Sequence, residues 1–140
     1  MAVSHNSLAN AAALARDRVR ALNLVPVSRE IAERLDQLVE LILRWQARTN
    51  LIAPSTVPTI WTRHIADSLQ LLGVAPQAIR WVDLGSGAGF PGLVIAAALS
   101  GRAGALVHLV ESNAKKAAFL REATREIGLP AVVHPVLIED

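Results

Sequence analysis

A glycine-rich turn between two apolar runs is the feature that most constrains the fold of this chain. The first run, Trp81–Leu84, is short and contains one carboxylate, and the second, Leu93–Leu99, has the length of a helix. Between them stand three alternating glycines, Gly85, Gly87 and Gly89. Without a Cβ, these residues tolerate positive φ and let the backbone approach a ligand. The pattern predicts a strand, a ligand-binding turn and a helix, whose first amides and dipole favour an anion or a carboxylate.

The composition is that of one globular unit. Of the 140 residues, 52% are hydrophobic and 19% are charged, which argues against disorder and supplies one core. The absence of cysteine excludes a disulfide scaffold and thiolate metal sites, and we expect no metal site. Residues Met1–Asn6 lack the pattern of a secretory leader, and no apolar run approaches the ~20 residues of a membrane span. We therefore expect a cytoplasmic protein without a membrane partner.

Apolar residues recur at helical spacing in three segments before the turn. The predicted helices cover residues 7–22, a segment from an N-cap at Ser28 past Trp45, and a segment from Ser55 or Thr56 to about Leu72 that stops at Gly73. The polar face of the first helix carries Arg16, Arg18 and Arg20. A solvated face is favoured for these arginines over a patch that contacts phosphates, because surface charges are usually only solvated.

A histidine and an aspartate lie three residues apart on the third predicted helix. At this spacing the side chains of His64 and Asp67 can meet. Two interpretations are equally favoured by the spacing. Either the carboxylate orients the histidine to cap or staple the helix, or the pair faces the glycine turn and takes part in function.

After the turn, the chain alternates between strand and helix. The sequence predicts a strand at 105–110, a helix from a cap at Ser112 or Asn113 to Ile127, and a strand at 131–136. Right-handed crossovers place these parallel strands in the order 3-2-1. Pro135 lacks an amide donor, which puts the last strand at a sheet edge or makes it bulge there. We expect an α/β unit at residues 77–140, with a helical region at 1–76 docked on it.

A sheet of three strands leaves the first strand with an unpaired edge. In a doubly wound sheet the ligand binds beside this strand, and the other half of the sheet lies beyond it. Because that half is absent, we expect a fragment of a longer protein or a partner that covers the apolar edge. Self-association through this edge is a further expectation, because unpaired strand edges attract other chains.

Two classes of cofactor fit the turn. Gly87–Gly92 satisfies the dinucleotide pattern G-x-G-x-x-G, and Glu111 stands where an acid binds ribose hydroxyls. Asp83, however, places a negative charge beside the turn, which disfavours a pyrophosphate and favours a cation. S-adenosylmethionine has a sulfonium, a ribose and no phosphate, so it fits better. Tight packing without a ligand is the alternative, and the two acids favour ligand binding over it.

Several pieces of the sequence resemble one bacterial family. They are Leu43-Arg44-Trp45-Gln46 with Asn50-Leu51, Arg63–Leu69, Asp83–Gly92, and Val110-Glu111-Ser112 with Lys115-Lys116 and Phe119-Leu120-Arg121. On these residues the chain resembles the bacterial 16S ribosomal RNA guanine-N7 methyltransferases, the glucose-inhibited division protein B family, over about residues 20–140. The pieces R-H-I-x-D-S-L and G-x-G-x-G-x-P-G are specific when they occur together. The resemblance implies the N-terminal portion of a class I methyltransferase with a Rossmann-like fold.

The resemblance also implies a cofactor and a substrate. The cofactor is S-adenosylmethionine, and the substrate is a guanine in the 530 loop of the small-subunit rRNA. The implied pocket uses Gly85 and Phe90 at the turn, Glu111 at the ribose, and Ile138 and Glu139 near the adenine. Asp83, Gly87 and Gly89 complete the set of candidate cofactor-binding residues. The sequence departs from the family pattern at three places, namely Gln46 where Asn is usual, Ile52-Ala53 where Thr often follows Asn-Leu, and Leu137 where Arg is frequent.

The reaction implied by the resemblance needs little acid or base chemistry. Guanine N7 carries a lone pair and no proton, so no general base is required and no catalytic residue is assigned. His64 and Asp67 are candidates for shaping the pocket or holding the base. Two alternatives remain open, a small-molecule methyltransferase and a cofactor-binding fragment without activity.

Overall fold

Five helices, two irregular helical segments and three strands make up the described part of the chain. The computed structural model describes residues 5–139. Residues 1–4 and Asp140 lie outside the described residues. Most of Met1–Asn6, the segment that was expected to lack the pattern of a secretory leader, therefore lies outside them. The elements are α1 (His5–Leu24), α2 (Arg29–Gln46), a 3₁₀ segment (Pro54–Thr59), a π-helical segment (Trp61–Ala66), α3 (Asp67–Val74), β1 (Arg80–Leu84), α4 (Gly92–Leu99), β2 (Leu106–Val110), α5 (Ala114–Ile127) and β3 (Ala131–His134).

The three strands form one parallel sheet in the order β1-β2-β3. This confirms the predicted strand order and the α/β class. Along β2, Val107 and Leu109 are fully buried, because α4 and α5 pack against the sheet on this side. On the opposite face, Val82 and Leu84 of β1 are exposed. Within residues 5–139, β1 pairs only with β2, so the predicted open edge is present.

Two helices begin at the predicted caps, Ser28 and Asn113, whereas the predicted cap at Ser55 or Thr56 is wrong, because the 3₁₀ segment begins at Pro54 without a side-chain cap. The Ser28 hydroxyl accepts the amide of Ile31 at 3.2 Å and begins α2. The Asn113 side chain accepts the amide of Lys116 at 3.0 Å and begins α5, which ends at Gly128 with φ +76°. Helix α2 buries its apolar stripe against α4 and α5, and this contact joins the N-terminal helices to the sheet. None of the helices within residues 5–139 combines the length and apolar character needed to cross a membrane.

The third predicted helix is not a single α-helix. Its residues form the composite helix Pro54–Val74, in which the 3₁₀ segment, the π-helical segment and α3 follow one another. Pro58 lies inside the 3₁₀ segment, where its missing N–H interrupts regular α-helical bonding. The helix was predicted to run to about Leu72 and to stop at Gly73, whereas α3 continues through Gly73 to Val74.

The last strand is shorter than predicted. β3 ends at His134, so Pro135 lies after the strand and not within it. The predicted edge position is correct among the described strands, because β3 pairs only with β2. The predicted bulge is not needed, since a residue beyond the ladder requires no amide donor.

The arginines of α1 do not form one solvated face. Arg18 donates two hydrogen bonds to Asp36 of α2, at 2.7 and 2.9 Å, and its guanidinium lies 5.4 Å from the centre of the Trp61 ring. Arg16 and Arg20 are exposed, in agreement with the favoured interpretation. Arg18 therefore links α1 to α2 and the π-helical segment.

Candidate cofactor-binding site

The glycine turn is fixed to the end of β2 by its own backbone. The amides of Gly85 and Ser86 both donate to the carbonyl of Val110, at 2.8 and 3.0 Å. Gly85 and Gly87 adopt positive φ, +76° and +54°, which side-chain-bearing residues rarely do. A Cβ at Gly85 would meet no atom within 4 Å. This side of the turn is therefore open, and backbone there is accessible to a ligand.

The other two glycines of the motif serve packing. A Cβ on Gly89 would collide with the side chain of Leu93. A Cβ on Gly92 would collide with Leu109 and lie 2.7 Å from a carboxylate oxygen of Asp83. The motif thus combines an open half, which can face a ligand, with a closed half that seats α4 on the sheet.

Asp83 lies beneath the turn and ties it to α4. Its Oδ2 accepts the amide of Gly92 at 3.0 Å, at the first residue of the helix. Burial raises the pKa of Asp83 above its ordinary value, and the hydrogen bond from Gly92 offsets part of this increase. The nearby carboxylate of Glu111 raises the pKa further. A half-buried carboxylate therefore lies next to the turn, and no ion pair to it is found among residues 5–139.

Glu111 holds the turn from the end of β2. Its side chain is buried, with 8% of the residue exposed. Oε1 accepts the amide of Gly87 at 2.7 Å, and Oε2 accepts the amide of Asn113 at 2.8 Å. Each carboxylate oxygen has a second acceptor site, so these bonds leave capacity for hydroxyl donors. Glu111 braces both the glycine turn and the start of α5.

His64 of the π-helical segment lies against the turn. Its ring stacks on Phe90, with the ring centres 4.7 Å apart and the planes inclined by 11°. Burial lowers the pKa of His64, partly offset by Asp67, so the imidazole is neutral at pH 7. Among the described residues, no hydrogen-bond partner reaches the buried Nε2. A buried polar atom of this kind is costly, and it marks a place where a ligand can supply the missing bond.

The two members of the His64–Asp67 pair are not hydrogen-bonded to one another within the described residues. Asp67 is exposed at the start of α3, and it influences His64 only through its charge. The π-helical winding between them changes the side-chain alignment that α-helical spacing predicts. His64 contacts the turn through Phe90, and Asp67 lines a shallow groove beside them, together with Phe90 and Pro91.

A cavity of about 380 Å³ lies between the turn and the loop that follows α2. Its size falls within the range of roughly 300–1,000 Å³ that is usual for small-ligand pockets. The lining residues are Leu51, Ile52, Ala53, Thr56, His64, Gly85, Ser86, Gly87, Ala88 and Phe90. Sequence reasoning missed Leu51–Ala53 and Thr56 as lining residues. The Asn50-Leu51 piece and the departure at Ile52-Ala53 drew attention to this loop, but neither indicated which elements it would approach.

The predicted residues at the C-terminal end lie elsewhere. Ile138 and Glu139 are exposed and do not line this cavity. Ile138 borders a separate groove of about 360 Å³ on the open face of the sheet, together with Val82 and Leu84. The structure therefore brings Gly85, Gly87, Phe90 and His64 together around one cavity. Asp83 and Glu111 support the turn from the sheet side, and Gly89 packs against Leu93 of α4.

The structure has a strand, a glycine turn and an acid at the end of the second strand. The sequence of the chain also matches the model of a known family. Residues 31–136 match the family model of rRNA small subunit methyltransferase G. The chain belongs to this family. Its three parallel strands and the helices around them correspond to the first part of the Rossmann-like methyltransferase fold. The predicted family and fold are therefore confirmed.

Individual relatives carry the same name, ribosomal RNA small subunit methyltransferase G. One from Bradyrhizobium sp. is 65% identical over 121 residues, which cover 86% of this chain and 54% of the relative. One from Nitrobacter hamburgensis is 63% identical over 126 residues, covering 90% of this chain and 48% of the relative. One from Rhodopseudomonas palustris is 57% identical over 133 residues, covering 95% and 56%. The chain spans about half the length of the curated relatives it matches.

Proposed function

We propose that the chain forms the S-adenosylmethionine-binding part of an enzyme that methylates guanine N7 in the 530 loop of 16S rRNA. The product is 7-methylguanosine in the small ribosomal subunit, and the place of action is the cytoplasm, where ribosomes are assembled. In this proposal, residues 1–76 are a helical region docked on the first half of the cofactor domain, residues 77–140. Cofactor binding is proposed for the chain itself, and methyl transfer for a protein of its relatives' length.

The open side of the glycine turn is the observation that carries the cofactor proposal. Gly85 and Gly87 border the cavity with positive φ and no side chain, so a ligand can approach their backbone. Asp83 adds a half-buried carboxylate beneath the turn, which accepts the amide of Gly92. That charge favours the sulfonium of S-adenosylmethionine over the pyrophosphate of a dinucleotide.

The proposed roles of the other residues follow from their positions. Glu111, at the end of β2, receives the ribose hydroxyls on the acceptor sites that Gly87 and Asn113 leave free. Phe90, stacked on His64, forms one wall of the cavity. We also propose that Ile138 and Glu139 contact the adenine, which requires the segment after β3 to lie closer to the turn than it does in the structure.

The mechanism we propose relies on positioning. S-adenosylmethionine, when bound, supplies an electrophilic methyl group. Guanine N7 has a lone pair and no proton, so the chain need not remove one. Its residues hold the base in line with the methyl group and exclude water, which can supply most of the acceleration. Neutral His64 offers its unpartnered Nε2 to the bound molecules without adding a positive charge that would repel the sulfonium.

Calorimetric titration of the chain tests the cofactor class. We expect binding of S-adenosylmethionine and S-adenosylhomocysteine, and none of NAD. In Asp83→Asn, the affinity for S-adenosylmethionine should fall about tenfold, because the attraction to its sulfonium is lost. The affinity for the uncharged thioether of S-adenosylhomocysteine should change little, so this compound is the matched control. Tight binding of NAD alone would overturn the proposal.

Asp83→Asn should also change how the free energy of unfolding depends on pH. Because the pKa of Asp83 is raised by folding, the unfolded chain releases this proton first as the pH increases. The free energy of unfolding should therefore fall between the ordinary aspartate pKa of ~3.9 and the raised value, and stay lower above it. Asp83→Asn should remove the part of this decrease that comes from Asp83. Urea unfolding at several pH values measures the free energy of unfolding of both proteins. If the two plots of this free energy against pH are parallel, the prediction is wrong.

Replacement of His64 or Asp67 by alanine tests their proposed contact with substrate. In the chain extended to the length of its relatives, each should lower rRNA methylation at least tenfold. The loss of stability should be small, because Asp67 is exposed and the His64–Phe90 stack contributes about 1 kcal/mol. Gln70→Ala, exposed on α3, is the control. A lower melting temperature with unchanged methylation would favour the helix-stapling interpretation.

A bacterial strain that lacks the protein tests the substrate. We expect its 16S rRNA to lack 7-methylguanosine in the 530 loop and the strain to show streptomycin resistance. Unchanged methylation there would favour the small-molecule alternative.

We further propose that the chain associates with itself through β1. Val82 and Leu84 are 63% and 60% exposed, and the edge of the strand has no partner among residues 5–139. Light scattering should give a mass that rises with concentration, and Val82→Lys should reduce this rise because a charge on an edge strand discourages pairing. A constant monomer mass for the unchanged chain would contradict the proposal.

A further inference from the structure

The last residue of α2 is bonded to the loop that follows it. The Gln46 side chain accepts the amides of Leu51 and Ile52, at 2.9 and 3.2 Å, and donates to the carbonyl of Ile52 at 2.7 Å. Among the described residues, no other side chain is hydrogen-bonded to the backbone of these two loop residues. One amide side chain thus satisfies three backbone groups of the loop.

The loop held by Gln46 forms one side of the candidate cofactor cavity. Leu51, Ile52 and Ala53 line it together with Gly85 and Gly87. Leu51 and Ile52 are buried as whole residues, so their backbone groups have little access to water. Without Gln46, those groups would lose their partners, and the loop would have to move to reach water. The width of the cavity therefore depends on a residue that does not line it.

We infer that Gln46 is a positioning residue for the cofactor, which sets the distance between the loop wall, residues 51–53, and the glycine turn. This inference rests on the proposed function of the cavity. It goes beyond that proposal because Gln46 acts through the loop and needs no contact with the cofactor.

Calorimetric titration with S-adenosylhomocysteine tests the inference on the 140-residue chain. Gln46→Ala should weaken binding about tenfold, since part of the binding energy must then reorder the loop. Ser28→Ala is the matched control, because it removes the cap at the opposite end of the same helix without touching the loop. We expect Ser28→Ala to lower the melting temperature and to keep the affinity within twofold. Equal loss of affinity in both variants would overturn the inference, because general destabilisation would explain it.

The isosteric variant Gln46→Glu separates positioning from stability further. A carboxylate can still accept the two amides, but it cannot donate to the carbonyl of Ile52. Its affinity should lie between those of the unchanged chain and Gln46→Ala. Hydrogen exchange at the amides of Leu51 and Ile52 should accelerate in the same order. Unchanged exchange at these amides in Gln46→Ala would overturn the inference independently of any ligand.

The unchanged chain is measured first, so that the two possible failures are distinguished. If it does not bind S-adenosylhomocysteine, the proposed cofactor is wrong and the positioning role falls with it. If it binds and Gln46→Ala binds equally well, the cofactor proposal stands and only the positioning role is wrong.

Discussion

Replacement of Gly92 by alanine should lower the melting temperature by about 10 °C. The new Cβ would collide with Leu109, which is fully buried in β2, and with the carboxylate of Asp83. Neither neighbour can move freely, since Asp83 is bonded to the amide of residue 92 itself. Overpacking of this kind costs about 2–3 kcal/mol, which corresponds to this shift in a domain of this size. Thermal unfolding followed by circular dichroism measures it.

Gly101→Ala provides the matched control for this experiment. A Cβ at Gly101 would meet no atom within 4 Å, and its φ is not in the positive range. We expect a change of less than about 2 °C, because surface substitutions of this type alter stability little. Equal effects at the two positions would show that α4 can move away from the sheet, and that Gly92 is not required for seating it.

Glu111→Gln should weaken the binding of S-adenosylhomocysteine about 30-fold. Glutamine has one acceptor oxygen, so its NH₂ group would face the amide of either Gly87 or Asn113. Loss of a charged hydrogen-bond acceptor in a buried site costs roughly 1.5–3 kcal/mol of binding free energy, and the expected loss of affinity of about 30-fold lies within this range. The turn would also lose its brace, so the melting temperature should fall as well. Calorimetric titration and thermal unfolding measure the two effects.

Glu126→Gln makes the same chemical change on the surface of α5. Glu126 lies 3.5 Å from Arg44, and an exposed pair of this kind contributes less than about 1 kcal/mol. Its affinity for S-adenosylhomocysteine should equal that of the unchanged chain. If Glu111→Gln also binds within threefold of the unchanged chain, the carboxylate only braces the turn, and the proposed ribose contact is wrong.

The sequence predicted the sheet well because its signals are local. Glycine turns, caps at Ser28 and Asn113, and short apolar runs each define an element, and the alternation of strand and helix defines the strand order. Pro135 was placed inside β3 because the apolar pattern continues past His134. In the structure, His134 is the last residue of β3 that pairs with β2. The apolar pattern of the sequence therefore extends beyond the paired part of the strand.

The site was less predictable, because its walls come from distant parts of the chain. Spacing gave His64 and Asp67 as a pair, but the π-helical winding leaves His64 stacked on Phe90 and Asp67 exposed. Gln46 was noted only as a departure from a family pattern, and no local signal revealed its three bonds to the loop. Glu111 was assigned to a ligand, and the bonds by which its carboxylate also joins two protein segments were not predicted. Such roles depend on tertiary contacts that periodicity does not encode.

The buried carboxylate of Asp17 has a consequence for where this protein can be divided. Asp17 lies in α1, is 3% exposed, and accepts the amide and the hydroxyl of Thr62, at 3.0 and 2.7 Å. Thr62 belongs to the same π-helical segment as His64. The match to the family model begins only at residue 31, so it excludes this contact. A protein trimmed to the matched region would keep the glycine turn. It would lose Asp17, whose hydrogen bonds to Thr62 hold the π-helical segment in which His64 packs against the turn.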